Sequence, residues 1–263
     1  MRKLALITGA SAGIGEAFAR KYAELGCDLI LSARREDRLL QIAKSLGDEF
    51  GIEAICLPLD LSDVTAPEDV ARFVASLNRP LDILVNNAGY GLPGTFAETS
   101  WADQKDFLQI MLTAPAELCH RLIPGMVERG YGRVINVASV AGMTPGGAGH
   151  TLYGPVKSAL IGLSESLNAE TRGTGVHVTA LCPGLTYSEF HDVNGQRDRV
   201  NKVPKTFWQS AEAVVDTAIK ASEANRPVVV TGLANKAIAG LMRILPGGLS
   251  RRIVREQSAG MSK

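Results

Sequence analysis

A chain of 263 residues, 46% hydrophobic and 21% charged, carries enough apolar side chain for one large core, and its composition is not that of a disordered protein. A net charge of +1 leaves no electrostatic footprint for nucleic acid, and no run reaches the roughly 18 apolar residues of a membrane span. The four cysteines, Cys27, Cys56, Cys119 and Cys182, lie far apart without a CxxC pair, which speaks against a metal cluster or disulfide framework and for a reducing, cytoplasmic setting. The apolar start is broken at Gly9, too early for a signal peptide.

Near-continuous apolar runs at residues 3–8, 28–33, 52–58, 82–86, 133–137, 176–181 and 227–231 read as strands covered on both faces. Helical patterns fill the gaps at 13–25, 35–50, 67–78, 103–129, 153–172 and 210–222. This alternation predicts an α/β, Rossmann-like, doubly wound fold: a seven-stranded parallel sheet with helices on both faces and right-handed crossovers. No repeat or linker divides the chain, so residues 1–263 read as a single domain. Residues 185–209 are long and polar for a connection and read as a substrate lid, and 234–263 as a C-terminal amphipathic tail.

The first strand runs into Thr8-Gly9-Ala10-Ser11-Ala12-Gly13-Ile14-Gly15, and a helix follows at once. Glycines there allow a tight turn and close backbone approach to a pyrophosphate, while the helix offers its free N–H groups and positive dipole end. Alone, the motif could be a tight turn without a ligand. An NAD site places an acid about 20 residues further on, against the ribose 2′-hydroxyl. This chain has Ser32-Ala33-Arg34-Arg35 there, and guanidinium groups suit the 2′-phosphate of NADP, with NAD the less favoured cofactor.

Tyr153 and Lys157 stand at i and i+4, on one helical face. A cation one turn away favours the phenolate, which suits Tyr153 to pass a proton to a carbonyl oxygen. Ser139 ends the fifth strand, Asn86-Asn87-Ala88-Gly89 the fourth and Cys182-Pro183-Gly184 the sixth. All therefore open at the carboxyl edge where ligands of parallel sheets sit.

Together these residues resemble the classical short-chain dehydrogenase/reductase family across essentially the whole chain. The resemblance implies that Tyr153 is the acid/base, that Lys157 lowers its pKa and holds the nicotinamide ribose, and that Ser139 orients the substrate oxygen. It further implies a cofactor site of Gly9, Ser11, Gly13, Ile14, Gly15, Arg34, Arg35, Asp60, Leu61, Asn87, Ala88, Gly89, Pro183, Gly184 and Ser188, with Tyr153 and Lys157. A homodimer or homotetramer paired through the helices at 103–129 and 153–172 follows from the same likeness. The chain departs from the family pattern in three places. Met111 replaces the usual asparagine of the water-linked proton relay, with Gln109 a poor substitute. Val156 replaces a small polar residue, and the loop 142–152 is about one residue longer than usual.

The expected substrate lip carries Met143, His150, Leu152, Tyr187, Phe190, His191, Phe207 and Trp208, which suits a hydrophobic carbonyl or alcohol substrate or forms the lid's own core. The tail mixes Ile238, Leu241, Ile244, Leu245, Leu249 and Ile253 with Lys236, Arg243, Arg251, Arg252 and Arg255. It either docks on the domain or a sister subunit, or lies at a membrane surface. The expected activity is NADP-dependent hydride transfer between nicotinamide and a carbonyl or alcohol. The alternatives are a catalytically weak, cofactor-binding sensor or scaffold, and a nucleotide- or S-adenosylmethionine-binding transferase.

Overall fold

The computed structural model describes residues 2–92, 94–147, 149, 151–187 and 204–260. Its strands are β1 (Leu4–Thr8), β2 (Asp28–Ala33), β3 (Ala54–Pro58), β4 (Ile83–Asn86), β5 (Gly132–Val137), β6 (Val176–Cys182) and β7 (Val228–Val230). They form the expected seven-stranded sheet, in the order β3-β2-β1-β4-β5-β6-β7 with parallel pairing throughout. The winding reverses between β1 and β4, the switch point at which such sheets bind ligands.

All five residues of β1 are buried, and alternate side chains enter opposite cores. Ala5 and Ile7 pack with helices α1 (Gly13–Glu24), α2 (Glu36–Phe50) and α7 (Ala211–Glu223). Leu4 and Leu6 join the other core, under α3 (Ala66–Ser76) and α5 (Ala114–Glu128). On that same face α6 (Tyr153–Glu170) sets Leu160 and Ile161 against Ala138, Ala180 and Cys182. Each fully buried Leu or Ile contributes about 1.5–3 kcal/mol, so the continuous apolar strands are the main source of stability.

The single helix expected at 103–129 is two. Helix α4 (Trp101–Leu108) passes through a π-helical segment, Gln109–Thr113, before α5 begins. Pro115 explains the break: it has no N–H for the Met111 carbonyl four residues back, and its ring crowds that oxygen. The ladder widens, and the Ala114 N–H donates to the Gln109 carbonyl.

Residues 188–203, most of the expected lid including Ser188, Phe190 and His191, lie outside the described residues, as does His150. The two flanks of that segment are tied together. Tyr187 N–H donates to the Gln209 carbonyl and Gln209 N–H to the Leu185 carbonyl, both at 3.0 Å, and the Tyr187 ring stacks on Trp208 at 4.8 Å. The tail forms two helices, α8 (Leu233–Ile244) and α9 (Gly247–Gly260), with Pro246 between them. Among the described residues no helix is long and apolar enough to cross a membrane.

Candidate active site

The carboxyl ends of β1 and β4 meet at Thr8, which is 1% exposed. Its hydroxyl donates to the Val85 carbonyl at 3.3 Å and accepts from the N–H groups of Asn87 and Ala88 at 3.0 and 3.1 Å. The Asn87 amide donates to the carbonyls of Thr8 and Gly9 at 2.9 and 3.1 Å. Asn87 thus uses its side chain to shape the glycine turn. Thr8 was not singled out from sequence, although a threonine closing a strand directly before glycine is a readable sign of such a knot.

Gly9 takes φ +65° and Gly13 φ +58°, the left-handed region open to glycine. A Cβ on Gly9 would come within 2.8 Å of Ala88 Cα, and one on Gly15 would strike the Gly9 carbonyl. Helix α1 starts at Gly13, and its N-cap, Ala12, offers no side-chain acceptor. The orphan N–H groups of the first turn therefore need an acceptor from outside, and together with the dipole they fit a pyrophosphate.

The two arginines after β2 divide their tasks. Arg35 stands at the residue before α2 and donates to the Ser11 hydroxyl at 3.1 and 3.3 Å, bracing the turn. The Arg34 side chain is 68% exposed, with a guanidinium nitrogen 3.8 Å from a carboxylate oxygen of Asp60. Asp60 also accepts from the Ser62 N–H at 3.0 Å, and Leu61 is buried beside it. A projecting guanidinium beside the phosphate turn is where a second phosphate gains a charged partner.

Ser139 follows β5 and caps a short 3₁₀ turn (Val140–Met143), its hydroxyl accepting from the Ala141 N–H at 3.1 Å. The same hydroxyl lies close enough to the Tyr153 phenol to favour its ionised form. Lys157, one helical turn on, is buried and donates to the Val137 carbonyl at 2.7 Å. Its ammonium lies 5.8 Å from the centre of the Tyr153 ring. Burial pulls the Lys157 ammonium down to about 8, with the Cys182 thiol opposing. Burial pushes the Tyr153 phenol above its ordinary value, and the Ser139 hydroxyl pulls it back. Burial thus sets a direction opposite to the downward shift expected from Lys157.

Beyond β6, Pro183 accepts from the Val140 N–H at 3.0 Å, which ties this turn to the one behind Ser139. Gly184 has no room for a Cβ because the amide of Asn235, on α8, packs on it. Asn235 is buried and donates to the Thr231 carbonyl at 2.9 Å. The sequence offered no sign of this contact, since some fifty residues separate the partners.

The family model described as short chain dehydrogenase matches residues 3–198. The chain belongs to the short-chain dehydrogenase family. It is 31% identical over 245 residues to the 3-oxoacyl-[acyl-carrier-protein] reductase FabG of Rickettsia prowazekii, covering 92% of this chain and 98% of that protein. It is also similar to a short-chain dehydrogenase from Sphingobium yanoikuyae in complex with NADPH, at TM-score 0.81 and 30% identity over 93% of this chain and 96% of that one. A Burkholderia phymatum short-chain dehydrogenase in complex with NAD gives TM-score 0.82 and 26% identity over 91% and 92% of the two chains. This short-chain dehydrogenase is an NAD(P)-dependent oxidoreductase acting on CH–OH or C=O groups.

Two departures from the family pattern prove to be neighbours. Met111, 1% exposed, and Val156 share an apolar cluster with Phe107 and Ala114, against which Leu152 and Tyr153 pack. The Met111 sulfur lies over Gly89, where a Cβ would come within 2.6 Å of it. Met111 therefore needs both a glycine opposite and an apolar residue at 156. Gln109 is buried in the π segment, its amide nitrogen without a partner among the described residues. In the loop read as one residue longer, Thr151 takes φ +39°, a strained conformation for a β-branched residue.

Proposed function

We propose that this short-chain dehydrogenase is an NADP-preferring enzyme for a hydrophobic ketone or the corresponding alcohol, with Tyr153 as acid and base. One observation carries the reading: Tyr153, with the Ser139 hydroxyl acting on its phenol, stands one turn from the buried Lys157, at the sheet edge that also presents the glycine turn. The turn Gly9, Ser11, Gly13, Ile14, Gly15 would hold the pyrophosphate. Arg34 would meet a 2′-phosphate, with Arg35 bracing the turn. Asp60 and Leu61 would flank the adenine, Asn87, Ala88 and Gly89 would line the cofactor, and Pro183 and Gly184 with Ser188 would receive the carboxamide. When bound, the nicotinamide supplies or accepts the hydride.

In reduction the Tyr153 phenol donates its proton to the substrate oxygen, which Ser139 holds by a second hydrogen bond. At neutral pH the phenol is protonated, the form that donates, while its burial makes it a weaker acid. Lys157 keeps its place through the Val137 carbonyl and would hold the nicotinamide ribose. Met143 and Leu152 on one side, with the stacked Tyr187 and Trp208 on the other, support an apolar substrate. Four free cysteines fit a reducing compartment. The outward face of α6 carries the small residues Ala159, Gly162 and Ser166, which suits close packing of copies in a closed homo-oligomer.

The competing reading, a catalytically weak cofactor-binding sensor, draws on Met111 alone. Tyr153→Phe decides between them. The expected result is a loss of about 10²–10⁴ in turnover on a panel of ketones, with NADPH affinity nearly unchanged. A wild-type protein that binds NADPH yet turns over no ketone, or a Tyr153→Phe variant of wild-type activity, refutes the proposal.

A further inference from the structure

Helix α8 is apolar on two opposite faces, and among the described residues the fold covers only one. Its inner face sets Asn235, Ile238, Ala239 and Met242 towards the domain, and the helix touches both the turn that follows Ser139 and the Lys205–Phe207 turn. Its outer face carries Leu233 at 85% exposure, Ile244 at 84% and Leu241 at 52%, with Ala237 and Gly240 also exposed. At 3.6 residues per turn these five positions fall within a sector of about 100°, a continuous stripe rather than scattered residues. Helix α9 adds Leu249 at 47% exposure beside the exposed Arg251 and Arg252.

Charge argues for what covers this stripe. From Leu233 to Gly260 the chain has five basic residues, Lys236, Arg243, Arg251, Arg252 and Arg255, against Glu256 alone. That is +4 in a chain whose total is +1, so the remainder carries −3. A two-fold contact between copies through these helices would set like charge against like. An anionic lipid surface satisfies both features at once: headgroups pair with the basic residues while the apolar stripe enters the acyl boundary.

We propose that α8 and α9 seat the protein peripherally on an anionic membrane surface. Because the buried Asn235 of α8 packs on Gly184, and α8 also touches the turn behind Ser139, this seat places the mouth of the active site at the lipid interface. A hydrophobic ketone partitions there, a consequence that rests on the proposed function. The seat itself does not, and its test reads binding, not turnover.

The test is co-sedimentation of the full chain with phosphatidylcholine vesicles, with and without phosphatidylglycerol. Binding to the anionic vesicles at low salt, its loss at high salt and its absence on pure phosphatidylcholine are expected. Arg251→Gln with Arg252→Gln should weaken binding on the order of tenfold. Leu233→Ser with Ile244→Ser should abolish it even at low salt, with turnover of a water-soluble ketone unchanged. Absence of wild-type binding to anionic vesicles overturns the proposal without recourse to any variant. So does a Leu233→Ser/Ile244→Ser protein that binds like wild type. So does light scattering that shows this variant breaking an oligomer into smaller species, which would make the face a contact between copies.

Discussion

Met111→Asn places the family's usual residue into a site built around methionine. Met111 is 1% exposed and packs with Phe107, Ala114 and Val156, its sulfur over Gly89. The substitution removes the thioether from this cluster, about 1.5–3 kcal/mol of burial. It also leaves an amide in the apolar cluster that holds Val156, costing a further 1–3 kcal/mol or so unless a partner is found. A total near 4 kcal/mol lowers the melting temperature of a domain this size on the order of 10 °C. The same amide stands beside the packed ring of Tyr153 and away from the phosphate turn, so turnover or its pH profile should change while NADPH affinity holds. Thermal unfolding, pH–rate profiles and cofactor titration measure the three quantities. An unchanged melting temperature would show that the amide has partners and would refute the packing argument. If the pH–rate profile and turnover were also unchanged, Met111 would be a filler without bearing on proton transfer.

Arg34→Ala should weaken NADPH binding about tenfold and leave NADH nearly untouched, because the 68% exposed guanidinium contributes a charge-assisted contact and little packing; equal losses for both cofactors in a titration would contradict this. Lys157 illustrates pH linkage: its folded pKa, about 8, lies below its unfolded value, so the unfolded chain holds the extra proton between about pH 8 and 10.5. The destabilising burial of its charge is therefore fully present below pH 8 and fades as pH rises through that window. Lys157→Met should accordingly stabilise the cofactor-free protein by about 1–2 kcal/mol at pH 7, with the gain shrinking towards alkaline pH in denaturant melts, while turnover is lost. Because burial raises the Tyr153 phenol, alcohol oxidation, which needs the phenolate, should quicken into the alkaline range while ketone reduction is best served at neutral pH. Thr151→Gly relieves a positive φ and should raise the melting temperature, by about 1 kcal/mol of stability. Light scattering at micromolar concentration should give a dimer or tetramer mass.

The fold was legible because its determinants are local. The strands are continuous apolar runs, those in the middle of the sheet buried on both faces, so all seven could be read from residue type alone, and their alternation with helices leaves few topologies besides the parallel doubly wound sheet. The glycine turn and the Tyr153–Lys157 spacing are equally local: one depends on backbone freedom, the other on helical period. The π segment is a partial case, since Pro115 announces a fault in the helix but not its form. What only the tertiary structure decided concerns partners distant in sequence. Asn87 reads from sequence as a cofactor contact, and only the structure shows that its amide also holds the carbonyls of Thr8 and Gly9. Arg34 and Arg35 are chemically alike, and only the nearness of Ser11 turns one inward and leaves the other projecting. Met111 and Val156 looked like separate departures because 45 positions of sequence hide a shared cluster. The Tyr153 phenol moved against the local expectation, since a cation one turn away is visible in sequence whereas desolvation is a sum over every element packed around the ring. The stripe on α8 is the same lesson reversed: its residues are apolar in sequence, but only the packing of the domain shows which of its two apolar faces is left exposed.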